Sequence, residues 1–262
     1  MEIAGANVVI TGAASGIGAA MARRFATEGA SGLWLADLAG SQLEEVAAGI
    51  GPAAHPVVCD VTDEAAVQAL VGEASASAPV DLFCANAGIA TAGGIEAPDD
   101  VWQRTWEVNL MAHVYGFRAC LPQWRARGSG WFLVTASAAG LLTNLGDAPY
   151  TATKHAAVGL AEWLAITHGD EGIGVSCLCP QGVRTPMVTG GLDGGAEAAR
   201  VVELMGLIEP EECADAVVEG LRDERFLILP HPEVRRYLSN KTGDIDRWLA
   251  GMRTLSRQLR GD

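Results

Sequence analysis

Strand-like and helix-like segments alternate along the whole chain, and no other feature constrains the fold as tightly. Asn7–Thr11 (NVVIT) is almost continuously apolar, the pattern of a strand buried on both faces. Gly16–Glu28 follows with Ile17, Ala20, Met21 and Phe25 at helical spacing, and Gly29 stands just past its end. The same reading predicts strands at Leu33–Asp37, Pro56–Cys59, Val80–Cys84, Trp131–Thr135, Val175–Cys179 and Phe226–Leu229. Between them it predicts helices over Ser41–Ala48, Asp63–Ser75, Trp102–Arg125, Ala148–Gly169 and Pro210–Leu221. Such alternation implies a parallel sheet with helices on both faces. The 262 residues show no repeat and no linker-like boundary, so the expectation is one doubly wound α/β domain, 1–262, with about seven parallel strands.

Two segments fall outside the rhythm. Pro186–Leu207 carries Gly190, Gly191, Gly194 and Gly195 and reads as a long loop beyond the sixth strand, a lid over about 186–208. The C-terminal tail, about 233–260, places Ile245, Trp248, Leu249, Met252, Leu255 and Leu259 at helical spacing. Such a helix either packs terminally on its own domain, or docks on a partner subunit or closes the pocket.

Composition bounds the function. Hydrophobic residues are 49% and charged ones 19%, which excludes disorder. With 32 acidic against 18 basic residues the net charge is −14, which argues against nucleic acid or an anionic membrane as partner. Of the basic residues only Lys154 and Lys241 are lysine, as a GC-rich coding bias would give. No secretory leader is legible at Met1–Gly5, and no apolar run approaches the roughly 18 residues of a membrane span. Five of the six cysteines lie in or beside apolar runs and read as buried free thiols in a reducing cytoplasm. Cys177 and Cys179 form a C-x-C, but no second pair or histidine cluster completes a metal site. The sequon Asn240-Lys241-Thr242 and the terminal Arg260-Gly261-Asp262 have no secretory context and read as chance.

Thr11-Gly12-Ala13-Ala14-Ser15-Gly16-Ile17-Gly18 joins the first strand to the first helix. Glycines there allow a tight turn and bring backbone N–H groups and a helix N-terminus to a pyrophosphate. Asp37 ends the second strand 19 residues past Gly18, where a carboxylate accepts hydrogen bonds from ribose hydroxyls. It repels a 2′-phosphate, and the adjacent candidates Ser15 and Leu38 are not cationic, so the expected cofactor is NAD(H) rather than NADP(H). Tyr150 and Lys154 stand four apart in a predicted helix and so share a face. An ammonium there stabilises a phenolate. Ser137 closes the fifth strand at its carboxyl end, where ligands of such sheets bind.

With these motifs the chain resembles the short-chain dehydrogenase/reductase family, over nearly its whole length. Thr11–Gly18 is similar to that family's Thr-Gly-x-x-x-Gly-x-Gly turn, Asp60-Val61 to its adenine contact, and Asn86-Ala87-Gly88 to its Asn-Ala-Gly segment. Asn109, Ser137, Tyr150 and Lys154 match its catalytic tetrad in order and spacing. The resemblance implies a Rossmann fold and hydride transfer between a secondary alcohol and a ketone. Tyr150 is then the general acid or base, and Ser137 stabilises the substrate oxygen. Lys154 lowers the Tyr150 pKa and binds the nicotinamide ribose, and Asn109 holds a water that relays protons from Lys154. Pro180, Gly182, Val183 and Thr185 fall at nicotinamide-contacting positions. A homo-oligomer is implied too, a tetramer rather than a dimer, through the helices at about 102–125 and 148–169.

The chain departs from the family at Ala85, where Asn is usual, at Thr153, where Ser is common, and at Gln181, where Gly is usual. By the same resemblance the substrate pocket lies near Gly88–Gly94 and at Leu141, Leu142, Asn144, Gln181, Met187 and Val188. These residues are mostly apolar and carry no cation for a phosphate or carboxylate, so a hydrophobic, bulky, uncharged small molecule is expected. The alternatives are an NADPH-dependent ketoreductase of the β-ketoacyl type and a non-catalytic NAD-binding module. Lys241 has no assigned role and is expected to be a solvated surface residue.

Overall fold

The computed structural model of the protein describes residues 1–260. Gly261, Asp262 and the side chains of Glu197, Leu259 and Arg260 lie outside the described residues, and with them the terminal tripeptide and the last position of the C-terminal apolar pattern. Seven strands form one parallel sheet: β1 Asn7–Thr11, β2 Gly32–Asp37, β3 Ala54–Val58, β4 Leu82–Ala85, β5 Gly130–Thr135, β6 Ile173–Leu178 and β7 Leu227–Ile228. Their order is β3-β2-β1-β4-β5-β6-β7, so the strand order reverses between β1 and β4. A crevice opens at such a reversal, beyond the carboxyl ends of the strands.

The period of two along a strand divides the core. Val8 and Ile10 point to one face and pack with Met21, Phe25, Leu43 and Leu221. Val9, between them, points to the other face and packs with Val67, Leu70, Phe83 and Trp124. Each such fully buried side chain contributes about 1.5–3 kcal/mol. Asn7 is the polar exception in β1, and its buried amide is satisfied. Its Nδ2 donates to the Ala74 and Ala78 carbonyls (3.1 and 2.6 Å), and its Oδ1 accepts from Trp34 Nε1 at 3.1 Å.

Strand and helix ends differ from the sequence reading by a few residues, and two elements differ in kind. Trp102–Arg125 is not one uninterrupted α-helix. The helical run extends from Asp99 to Arg127, and Glu107–Met111 is a π-turn within it. The wider turn carries Asn109 and cannot be seen in a 3.6-residue period. Pro186–Leu207 is not a loop either. It folds as two short helices, Pro186–Asp193 and Glu197–Leu204, with Gly195 at φ +71° between them. Pro186 opens the first of these, a position where its missing N–H costs nothing. The tail forms helices Glu233–Gly243 and Ile245–Arg260.

Candidate active site

The glycine turn is stitched to the β4 end by Thr11 and Asn86. Thr11 Oγ1 accepts from the Asn86 and Ala87 backbone N–H groups at 3.0 and 3.1 Å. Asn86 Nδ2 donates to the carbonyls of Thr11 and Gly12, at 3.0 and 3.3 Å. Asn86 therefore acts on the turn itself. Gly12 has φ +66°, and a β-carbon there would stand 2.8 Å from Ala87 Cα. Gly16 has φ +52°, and a β-carbon would press on the Thr185 side chain at 2.9 Å, so the turn also abuts the segment leaving β6. Ser15 is the N-cap of the helix that Gly16, Ile17 and Gly18 open, and its side chain makes no capping bond. Asp37 closes β2 beside this turn, its carboxylate accepting from Ala14 N and Ala39 N at 3.1 Å each. Leu38, next to it, is exposed. A cradle of backbone that a β-carbon would fill, a helix N-terminus and a carboxylate at the second strand fit the diphosphate and ribose of a nicotinamide dinucleotide.

Asp60 is held by Thr62, whose N–H and Oγ1 donate to its carboxylate at 2.9 and 2.7 Å and keep its pKa below the ordinary carboxylate range. Val61 beside it is buried.

The four residues come from three places, the π-turn (Asn109), the segment after β5 (Ser137) and helix Ala148–His168 (Tyr150 and Lys154), and meet at the carboxyl ends of β4 and β5. The π-turn aims Asn109 at the segment after β4. Its Oδ1 accepts from Ile89 N at 2.8 Å, and its Nδ2 donates to Ile89 O and Thr153 Oγ1 at 2.9 and 3.2 Å. A β-carbon on Gly88 would stand 3.3 Å from Asn109 Oδ1 and 3.4 Å from Lys154 Nζ, which places both beside this segment. Lys154 is buried and donates to the Thr135 carbonyl at 2.9 Å. Ser137 Oγ accepts from Ala139 N at 3.1 Å and faces the Pro180 carbonyl at 3.5 Å.

Helix Ala148–His168 carries Tyr150 and Lys154 on one face, with the Lys154 ammonium 5.6 Å from the phenol ring centre. Asp147 caps this helix and was not singled out from sequence, although Asp before Ala-Pro is a recognisable helix start. Buried, it accepts from Tyr150 N, Thr91 N, Ala92 N and Thr91 Oγ1, all at 2.8–3.0 Å. It fixes the start of the helix that carries Tyr150 and Lys154 against the pocket rim.

The electrostatics differ from the expectation for the Tyr–Lys pair. Burial brings Lys154 down to about 8, because an ammonium loses its hydration there. Burial raises Tyr150 above the ordinary phenol value, the Ser137 hydrogen bond partly offsets this, and the Asp147 charge adds to it. In this arrangement Tyr150 holds its proton at neutral pH and lines the cavity. His113, buried nearby, is held at about 3 by burial and by the Lys154 charge, and so stays neutral.

Ser137 and Tyr150 line a cavity of about 420 Å³. Of the expected pocket residues, Leu142, Asn144, Gln181, Met187 and Val188 line it. Leu141 does not; it packs against Val234 and Ala138. In a helix of one turn, Ala139–Leu142, adjacent residues point about 100° apart, so Leu142 takes the cavity side. Thr143 follows at φ +82°, a strained conformation at the rim. Tyr237, Trp248, Met252 and Leu255 of the two tail helices also line the cavity. The sequence left terminal packing and pocket closure open, and the structure brings this tail to the pocket.

Two further contacts tie the tail to the site. His231 is buried, accepts from Gln181 N through Nδ1 (3.1 Å) and donates through Nε2 to the Gly182 carbonyl (3.0 Å). Burial lowers its pKa, so it stays neutral and this tautomer holds. Lys241 is not a solvated surface residue. Its half-buried ammonium donates to the Leu141 carbonyl at 2.6 Å. Beyond β6, Val183 bridges to Ile208, and Thr185 N donates to the Val183 carbonyl at 2.8 Å.

Fold and site together define a Rossmann-like oxidoreductase acting on hydroxyl or keto groups. Residues 6–193 match the short chain dehydrogenase family, and the chain belongs to it. It is 36% identical over 259 residues to a 1-deoxy-11-beta-hydroxypentalenate dehydrogenase of Streptomyces avermitilis, covering 95% of this chain and 93% of that one. A short chain dehydrogenase/reductase from Burkholderia phymatum, solved in complex with NAD, superposes with a TM-score of 0.86 at 30% identity, over 94% of this chain and 96% of the other. A short-chain dehydrogenase from Sphingobium yanoikuyae, in complex with NADPH, superposes at 0.78 with 26% identity, over 94% of each chain.

Proposed function

We propose that the protein is an NAD(H)-dependent oxidoreductase that interconverts a secondary alcohol and a ketone on a hydrophobic, bulky, uncharged substrate. The observation that carries this reading is a mostly apolar cavity that Ser137 and Tyr150 both line. Bound nicotinamide supplies hydride transfer. Gly12, Ser15, Gly16, Ile17, Gly18, Asp37, Leu38, Asp60, Val61, Ala87 and Gly88 hold the nucleotide; Pro180, Gly182, Val183 and Thr185 hold the nicotinamide end. Ser137 donates to the substrate oxygen, and Tyr150 gives or takes the proton at that oxygen. Lys154, compact and cationic, serves the ribose and the phenol together. Asn109 holds the proton route behind it.

Cofactor choice rests on Asp37, whose carboxylate sits beside the glycine turn. The relative solved with NADPH keeps NADP(H) as a second reading. A panel of secondary alcohols and ketones, followed by nicotinamide absorbance with both cofactors, tests the reading. We expect a preference for NAD(H) and for uncharged hydrophobic substrates. Asp37→Ser should narrow the cofactor preference at least tenfold. A preference for NADP(H), or one unchanged by Asp37→Ser, contradicts it.

We further assign the protein to a homotetramer in the cytoplasm. Trp163 and Ile166 are 58% and 84% exposed on the catalytic helix, which supports an assembly face there. The six cysteines are all free and buried among the described residues, which supports a reducing compartment. No helix among the described residues is long and apolar enough to cross a membrane.

A further inference from the structure

The ladder between β6 and β7 is completed by a side chain. Cys177 N donates to the Phe226 carbonyl at 2.6 Å and Cys179 N to the Ile228 carbonyl at 2.9 Å. In a parallel ladder the next donor on that side is Gln181 and the next acceptor is the Pro230 carbonyl. That rung is replaced. Gln181 N donates instead to His231 Nδ1 at 3.1 Å, and His231 Nε2 donates to the Gly182 carbonyl at 3.0 Å.

The other edge of the same segment is held by main chain. Ala136 N donates to the Leu178 carbonyl at 2.9 Å and Ala138 N to the Pro180 carbonyl at 2.8 Å, so this ladder runs on past Ser137. Ser137 Oγ itself faces the Pro180 carbonyl at 3.5 Å. Pro180–Gly182 therefore lies between two supports, the backbone beside Ser137 and one buried imidazole. The two bonds of His231 are not equivalent. The Gly182 carbonyl also accepts from Ile208 N at 3.0 Å, whereas Gln181 N has His231 alone among the described residues. Accepting at Nδ1 while donating at Nε2 requires a neutral imidazole in one tautomer.

We propose that His231 is a positioning residue for the nicotinamide half of the cofactor. By completing the ladder at Gln181 it holds the Pro180–Thr185 segment in register with Ser137, so that the ring bound there meets the substrate held at Ser137 and Tyr150. This rests on the assignment of Pro180, Gly182, Val183 and Thr185 to the nicotinamide end and adds what holds them in place. A segment secured on one edge only has to be ordered by the cofactor itself, at a cost to affinity. The nucleotide half is assigned to the glycine turn, Asp37 and Asp60, and His231 hydrogen-bonds to none of these.

The test titrates the full chain with NADH and with ADP-ribose, which keeps the nucleotide, the diphosphate and the second ribose and lacks the nicotinamide. His231→Phe keeps a ring and loses both bonds. It should weaken NADH binding at least fivefold, the scale of one lost hydrogen bond, and leave ADP-ribose within twofold of wild type. Two amides separate the two bonds. His231→Asn offers an acceptor near the place of Nδ1 and should bind NADH within twofold of wild type. His231→Gln carries its amide toward the place of Nε2 and should lose as much as His231→Phe. Where His231→Phe does not fold, the comparison of Asn with Gln decides. Equal losses for both ligands, or the same NADH affinity in His231→Asn and His231→Gln, would overturn the role of His231. Thr185→Val tests the underlying assignment separately and should weaken NADH but not ADP-ribose. If it acts and the His231 variants do not, His231 alone is overturned; if it changes neither ligand, the nicotinamide assignment falls and the role of His231 with it.

Discussion

Lys154 shows how this site sets function against stability at single-residue scale. Its folded pKa of about 8 lies below the 10.5 of a free lysine. Below pH 8 the ammonium is charged in both states, and its burial costs the fold about 3 kcal/mol. Between pH 8 and 10.5 the unfolded chain binds the extra proton, so this cost fades as pH rises and is gone above that range. Lys154→Met forfeits one hydrogen bond, worth about 1 kcal/mol, and removes the buried charge. It should therefore stabilise the protein by about 2 kcal/mol at pH 7 while abolishing turnover, with the gain shrinking toward pH 10 in denaturant melts. Destabilisation at pH 7 would contradict this account. That Tyr150 and Lys154 share one helix face was legible from their four-residue spacing. Their pKa directions were not, because burial is a property of the packed molecule, and here it outweighs any effect of the pair on the phenol. Lys241 was misread for the same reason, since its carbonyl partner lies a hundred residues away in sequence.

At the scale of elements, long periodic segments were legible and irregular ones were not. The helix Ala148–His168 was placed within a residue of its observed ends. The π-turn at Glu107–Met111 escaped because a reading made at a 3.6-residue period has no place for a wider turn. The glycine-rich segment after Thr185 suggested a loop, yet short helices form there because Pro186 starts one and Ala198, Ala199, Val201 and Val202 supply a face toward the cavity. Asp147 makes the strongest prediction at this scale. Asp147→Ala removes a helix cap and the carboxylate that accepts from the N–H groups of Thr91 and Ala92. It should cost about 3 kcal/mol in thermal or denaturant unfolding. It should also lower kcat more than it raises cofactor KM, since the start of the Tyr150 helix loses its anchor. A change within 0.5 kcal/mol, the range of an ordinary surface substitution, would show that the cap is dispensable.

At the scale of the molecule, the alternation of strands and helices and the buried character of both sheet faces were readable because a parallel sheet imposes them on every strand. The far wall of the cavity was not, since only tertiary structure brings residues 237–255 over Ser137. Assembly belongs to this scale as well. Light scattering should give the mass of four chains, and Trp163→Glu with Ile166→Glu should reduce it. A monomeric wild type would remove the assembly face from the account. The most direct measurement of the central claim compares wild type with Tyr150→Phe in two readouts, NADH binding by fluorescence and ketone reduction by NADH consumption. The account predicts NADH affinity within about threefold of wild type and turnover reduced at least a hundredfold, the scale of a lost general acid. Turnover within tenfold of wild type would contradict it.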